Sequence, residues 1–271
     1  PGMNLGSTAL PPLGFRMISM WLGLPVMGLG LVATKAPFRV PRAHWRELFW
    51  LAVFNMFIWH GLIIIAVKSL SSGRAAILGY SMPIFSALLG AYWFGNRLSS
   101  RAWGGVAACA LGVFLLLWHE LTQLAGHPLA VLYALVSALV WAVGVQLMRR
   151  TTLTVPTLTM SFWMTAMTAV VMTVLSLLLE KAQWKAPSAA TWAAITYNAV
   201  LIFGIAQTIW FALARQLTPV ASTLSVMMIP VLGVFSGAWW LGEVLHWQDW
   251  AAVLLMALAI ASVLLPARSP P

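Results

Sequence analysis

"GAYWFG" at residues 90–95 returns as "GAWWLG" at residues 237–242, an offset of 147 positions. The same offset, without a gap, pairs Pro83 with Pro230, Leu98 with Leu245 and Trp103 with Trp250. Upstream it pairs Ala52-Val53 with Ala199-Val200, Lys68 with Arg215 and Leu70 with Leu217. A single register held this long marks an internal duplication.

Composition says what was duplicated. The 271 residues are 62% hydrophobic and only 7% charged, whereas a soluble domain carries roughly 25% charged residues. No soluble interior of this length could hide so much apolar surface, but a helical bundle in lipid does not have to. The apolar runs are long and unbroken, unlike the alternating strands of about ten residues that build a membrane barrel. Breaker to breaker, they predict spans at 12–34, 47–67, 73–95, 102–119, 128–148, 156–179, 191–213, 219–241 and 247–266. The stretch "PGMNLGSTALPP" before them reads as the second half of another spanning helix, closed by Pro11-Pro12. It has no charged n-region, so it does not read as a signal peptide. The expectation is an all-α membrane protein: a ten-helix bundle, first helix partly missing, built from two five-helix repeats. The repeats would occupy residues 1–121 and 122–271.

Five is odd, so two copies must enter the membrane from opposite sides. Inverted repeats of this kind let a transporter exchange inward-open and outward-open states. The net charge of +10 would suggest nucleic acid in a soluble protein. Here the cations sit between apolar runs, where they orient helices. One set of loops holds Lys35, Arg39, Arg42, Arg46, Arg97, Arg101, Arg149, Arg150, Arg215 and Arg268. The other holds Lys68, Arg74, Lys181 and Lys185. The richer set is expected to be cytoplasmic, and with it both termini. The one cysteine, Cys109, lies in an apolar run and excludes an intrachain disulfide.

The stretches "AAILGYSMPIFSALLGAYWFGNRLSSRAWGGVAACALGVFLLL" and "ASTLSVMMIPVLGVFSGAWWLGEVLHWQDWAAVLLMALAIASVLL" resemble the C-terminal part of an EamA domain. That pattern is a proline in a helix, small residues, Gly-Glu, then a last helix. The resemblance is to ten-helix members of the drug/metabolite transporter superfamily, the aromatic amino-acid exporter type among them. It departs at Asn96, where the first copy lacks the Glu that the second keeps as Glu243. It implies a bacterial inner-membrane exporter or exchanger of small metabolites, with helices 1–4 and 6–9 of the ten around a central cavity.

Candidate binding residues come from polar groups inside the spans. His60 interrupts "FIWHGLIII" (57–65), and the 147 offset pairs it with Gln207. Two hydrogen-bonding groups at one depth are costly in lipid unless they face a partner or a wet cavity. The functional interpretation is a substrate-binding pair; the plainer one is two groups that bond neighbouring helices. Tyr80, Trp59, Trp141 and Trp163 are candidates for an aromatic pocket, although most of the 16 tryptophans must face lipid or the interfacial belts. Asn4, Asn55, Gln146 and Asn198 are further polar candidates. Arg16, in the first turn of its span, is expected to snorkel to the surface, with carboxylate binding as the alternative. Pro83 and Pro230 would each free a backbone carbonyl one turn earlier and serve as hinge or gate. Gly233 and Gly237, like Ser86 and Gly90, suit close helix packing.

No Asp or Glu lies deep in a span, so the expected mode is facilitated transport rather than proton coupling; antiport through His60 is the alternative. The same absence argues against multiply charged cations as cargo. A small amphipathic solute remains, with aromatic or hydrophobic amino acids favoured and drugs or choline-like amines as the alternative. No cofactor, metal or obligate protein partner is expected, and no nucleophile pattern suggests an enzyme. The expected partners are the cargo and the bilayer.

Overall fold

The structure is a computed structural model, and it describes residues 10–67, 69–70, 77–79, 81–118, 127–218 and 247–264, with single positions at 226, 229, 232 and 239. Tyr80, Pro230, Gly233, Gly237, Asn4 and Glu243 lie outside the described residues.

Among the described residues the regular structure is helical throughout. Six helices are long and apolar enough to cross a membrane: Pro12–Ala33, Arg42–Ala66, Ser100–Leu117, Pro128–Arg149, Thr157–Leu179 and Ala189–Gln216. Shorter apolar helices cover 77–92 and Trp247–Ser262. The expected count of ten is not reached among the described residues. Of the fourth expected span residues 73–76 and 80 are undescribed, Ser81 is a turn residue, and most of 219–241 is undescribed.

Local chemistry sets the ends. Helix α1 (Pro12–Ala33) starts with a proline in its first turn, where a missing N–H costs nothing. Helix α5 (Ser100–Leu117) is capped by the Ser99 hydroxyl, which accepts from the Ala102 amide at 3.2 Å. Ser188 does the same for Thr191 in helix α8 (Ala189–Tyr197).

The chain packs as two compact units, each drawing on both halves of the sequence. The first takes residues 1–64 and 150–216, the second 65–149 and 217–271.

In the first unit α1 packs against α7 (Thr157–Leu179). Glu180, just past the end of α7, accepts from the Leu13 and Gly14 amides at 2.9 and 3.2 Å. A carboxylate there offsets the partial positive charge of a helix start. At the other end, Thr159 donates to Pro37 O at 2.7 Å and Trp163 Nε1 to Phe38 O at 2.7 Å. The two helices therefore run antiparallel. The rod Arg42–Ala66 begins beside residues 151–152, where Glu47 accepts from both threonine hydroxyls and the Thr152 amide. The rod Ala189–Gln216 ends at the same loop, where Arg215 donates to Leu153 O, Val155 O and Thr157. These two rods are antiparallel as well. One end of the unit thus gathers Lys35, Arg39, Arg42, Arg46, Arg150 and Arg215; the other carries Lys181 and Lys185.

The second unit repeats the relation. Helix α10 (Trp247–Leu264) packs on α5. A side chain at Gly105 would collide with Ser262 and with Ala259 O, and one at Gly112 would press on Met256. Position 105 thus meets 259–262 and position 112 meets 252–256, an antiparallel contact made possible by small residues. Helix α4 (Met82–Tyr92) is tied to α6 (Pro128–Arg149) by Gln146, whose Nε2 donates to Ser86 O at 2.8 Å. Asn96 donates to Gln146 Oε1 at 3.3 Å, and Gly95 at φ 65° turns the chain toward it.

The outer surface fits lipid. Leu29, Val32, Tyr92, Trp93, Leu178 and Trp247 are all more than half exposed, while Ser161, Thr165, Thr168 and Ser176 of α7 are fully buried. Polar groups inside and apolar groups outside reverse the order of a soluble protein.

Candidate functional site

The first unit contains an inner cluster of charged, polar and aromatic side chains. Helix α2 (Trp45–Ala52) passes into a π-helical segment, π1 (Val53–Phe57), and then into α3 (Ile58–Ala66), which carries Trp59 and His60. The matching rod runs from α8 through π2 (Asn198–Ala206) into α9 (Gln207–Gln216). Phe203, fully buried, projects from π2. Its ring lies 5.9 Å from the His60 ring, and the Trp59 ring meets His60 edge-on at 4.5 Å. The Arg16 guanidinium of α1 lies 5.6 Å from the Phe203 centroid, within cation–π range.

Two glycines bring the pieces together. A Cβ at Gly23 would lie 2.9 Å from Phe203 Cβ and 3.0 Å from Ala199 O. One at Gly204 would lie 2.7 Å from Val26. Helix α1 and π2 therefore touch nearly backbone to backbone, and Phe203 comes within reach of Arg16.

Arg16 corrects the expectation. It does not snorkel: it is only 8% exposed. The reason lies at the start of α1. Leu10, Phe15 and Ile195 form a buried cluster there, Glu180 caps the helix, and Trp184 lies against Gly14. The start of the helix is thereby packed against other segments, and the Arg16 guanidinium lies over the buried Phe203 ring. Position in a helix does not report this packing.

His60 is 3% exposed, and its Nδ1 has no hydrogen-bond partner among the described residues. Gln207 is half-buried at the first position after π2. The side chain that meets His60 from that rod is Phe203, one turn before Gln207. Trp163 is engaged elsewhere: besides its bond to Phe38 O it contacts the Trp45 and Phe162 rings. Trp141 is half-buried on α6 of the second unit. Asn55 and Asn198 each donate to the carbonyl four residues back, Leu51 O at 3.0 Å and Ala194 O at 2.9 Å. Gln146 and Asn96 tie segments of the second unit together. Pro83 stands at the second position of α4, where it removes no helical bond. Ser81, just before the helix, is a turn residue whose hydroxyl donates to Leu78 O at 2.7 Å.

The π segments carried no signal in the sequence. The 147 offset carries 53–57 onto 200–204, inside π2. Such widened turns are rare and concentrate at functional sites. Both repeats place one just before the candidate residue, His60 or Gln207. A separate open groove of about 260 Å³, lined by Val26, Met27, Gly30, Leu158, Gly204, Ile205, Thr208 and Ile209, is almost wholly apolar and suits an acyl chain better than a polar cargo.

The chain matches the EamA-like transporter family model twice, over residues 2–118 and 128–265. Two relatives in Bacillus subtilis (strain 168) are named as transporters, each with the word uncharacterized. YoaV is 24% identical over 262 residues, covering 95% of this chain and 87% of its own. YvbV is 25% identical over 268 residues, covering 93% and 82%. A solved crystal structure at 22% identity has a TM-score of 0.80 and covers 97% of this chain and 91% of its own; it bears on the fold alone. With apolar membrane-crossing helices, a duplicated sequence and a family match in each half, the chain is a multi-pass membrane protein that belongs to the EamA-like transporter family.

Proposed function

We propose that the protein exports small amphipathic metabolites, aromatic or hydrophobic amino acids first among them, from the bacterial cytoplasm across the inner membrane. Both termini lie on the cytoplasmic side, and the protein acts as a facilitator by alternating access. One observation carries the mechanism: helices that correspond between the two sequence halves run antiparallel. This is seen for α1 with α7 and for the two π-containing rods, and in the second unit for α5 with α10. Antiparallel equivalents are what two inverted five-helix repeats produce. The gathering of cations at one end of the first unit supports the orientation.

The cargo site is the Arg16, His60, Trp59 and Phe203 cluster of the first unit, with Gln207 as a further lining candidate. The matched π segments are the hinge elements. A facilitator fits a sequence with no Asp or Glu deep in an expected span.

Liposomes containing the protein should take up labelled phenylalanine or tryptophan faster than empty ones. His60→Ala should slow this flux roughly tenfold, the order expected from losing one buried polar contact, and Gln207→Ala should slow it less. If no amino acid in a broad panel moves faster than in empty liposomes, this cargo is wrong. If both variants fold and transport like wild type, the site is wrong.

A further inference from the structure

Among the described lysines and arginines, Arg16 alone is buried; Arg215 is half-buried and the others are exposed. Burying a cation in a membrane protein is expensive, and such residues mark pathways and ligand sites. Arg16 stands in a setting suited to a ligand rather than to a helix end. Its guanidinium meets the face of the Phe203 ring. The same ring meets His60, and the buried His60 Nδ1 has no partner among the described residues. The planar guanidinium fork is the side-chain group whose geometry matches a carboxylate. Phe203, Trp59 and the His60 ring supply aromatic surface next to it.

We propose that Arg16 anchors a carboxylate on the cargo. The cargo is then a small acid or zwitterion with an apolar or aromatic body. The His60 Nδ1 takes a second polar group of the same molecule. A quaternary amine is rejected, because it would bring a second positive charge beside the guanidinium. The proposal rests on the transport reading above and narrows its cargo.

The test compares phenylalanine with phenylalaninamide, which keeps the side chain and amine but lacks the carboxylate. Calorimetry on the wild-type protein in detergent should show the acid binding at least about tenfold tighter, the range of one charge-assisted bond. Arg16→Gln should equalise the two ligands, and Arg16→Lys should restore part of the preference. Elution volume and melting temperature report whether the variants are folded, and the wild-type comparison stands without any variant. An amide that binds wild type as tightly as the acid overturns the proposal. So does an acid preference that survives in folded Arg16→Gln. Liposomes separate the two levels. Phenylalanine flux that is present in wild type and unchanged in Arg16→Gln removes the anchor and leaves the transporter. No amino-acid flux in any form removes both.

Discussion

Deleting Phe54 should leave a folded protein, at least as resistant to heat as the parent, that scarcely transports. Phe54 is a partly exposed residue of π1. A π segment behaves as one residue inserted into an α-helix, with the flanking turns left in place. It disturbs the regular i to i−4 ladder. Here the Asn55 amide satisfies Leu51 O, and in the other rod the Asn198 amide satisfies Ala194 O. Both rods thus carry a weakened turn, at positions related by the internal repeat, directly ahead of His60 and Gln207. Removing one residue lets the helix close into ordinary α geometry with α2 and α3 near their places. Stability should hold or rise, because regular bonds are regained. Amino-acid flux in liposomes should fall by more than about tenfold if bending at this turn gates the site, since gating motions set many turnover rates. Undiminished flux in the shortened protein would make the π segment a passive irregularity.

Phe203→Ala should be the most damaging single substitution in the first unit. The ring is fully buried, stands between Arg16 and His60, and springs from backbone held against Gly23. Truncating a buried Phe costs about 3–5 kcal/mol through the cavity it leaves, which lowers a melting temperature by roughly 10 °C in a protein of this size. Phe203→Leu distinguishes packing from ring chemistry. Leucine fills most of the space, so the stability loss should stay within about 1.5 kcal/mol. The cation–π contact with Arg16 disappears, at a cost of about 0.5–2 kcal/mol. Phenylalanine binding should therefore weaken several-fold in a protein that remains folded. Thermal unfolding followed by tryptophan fluorescence, run beside calorimetry, checks both halves. If binding to Phe203→Leu equals wild type, the ring face has no part in the site.

What could be read from the residues divides along physical lines. Spans at 12–34, 102–119, 128–148 and 156–179 agree within about two residues with helices Pro12–Ala33, Ser100–Leu117, Pro128–Arg149 and Thr157–Leu179. Apolar length between breakers is a strong signal in lipid, because every backbone group must bond within its own segment. The turn at Ser81 was less legible. Pro83 pointed to a disturbance, but a proline sits as comfortably in a first turn as at a kink. The π segments left no trace at all: an inserted residue changes the hydrogen-bond register, not the composition. His60 was visible as a polar interruption, and it is buried. Phe203 was invisible, one aromatic among many, because its role comes from what crosses it in space. Arg16 is visible in the sequence, but its burial is not. It is buried against Phe203 of a segment far away in the chain.

The central claim is that a single buried site is reached in turn from both sides of the membrane. Cys109, the one native cysteine, is buried and can be replaced by serine to give a silent background. A single His60→Cys in that background should react with a membrane-impermeant maleimide added to right-side-out vesicles, and equally with reagent added to inside-out vesicles. Reaction from both sides is the result this account predicts. Reaction from one side alone, or from neither, in a protein that is folded and inserted, would contradict it.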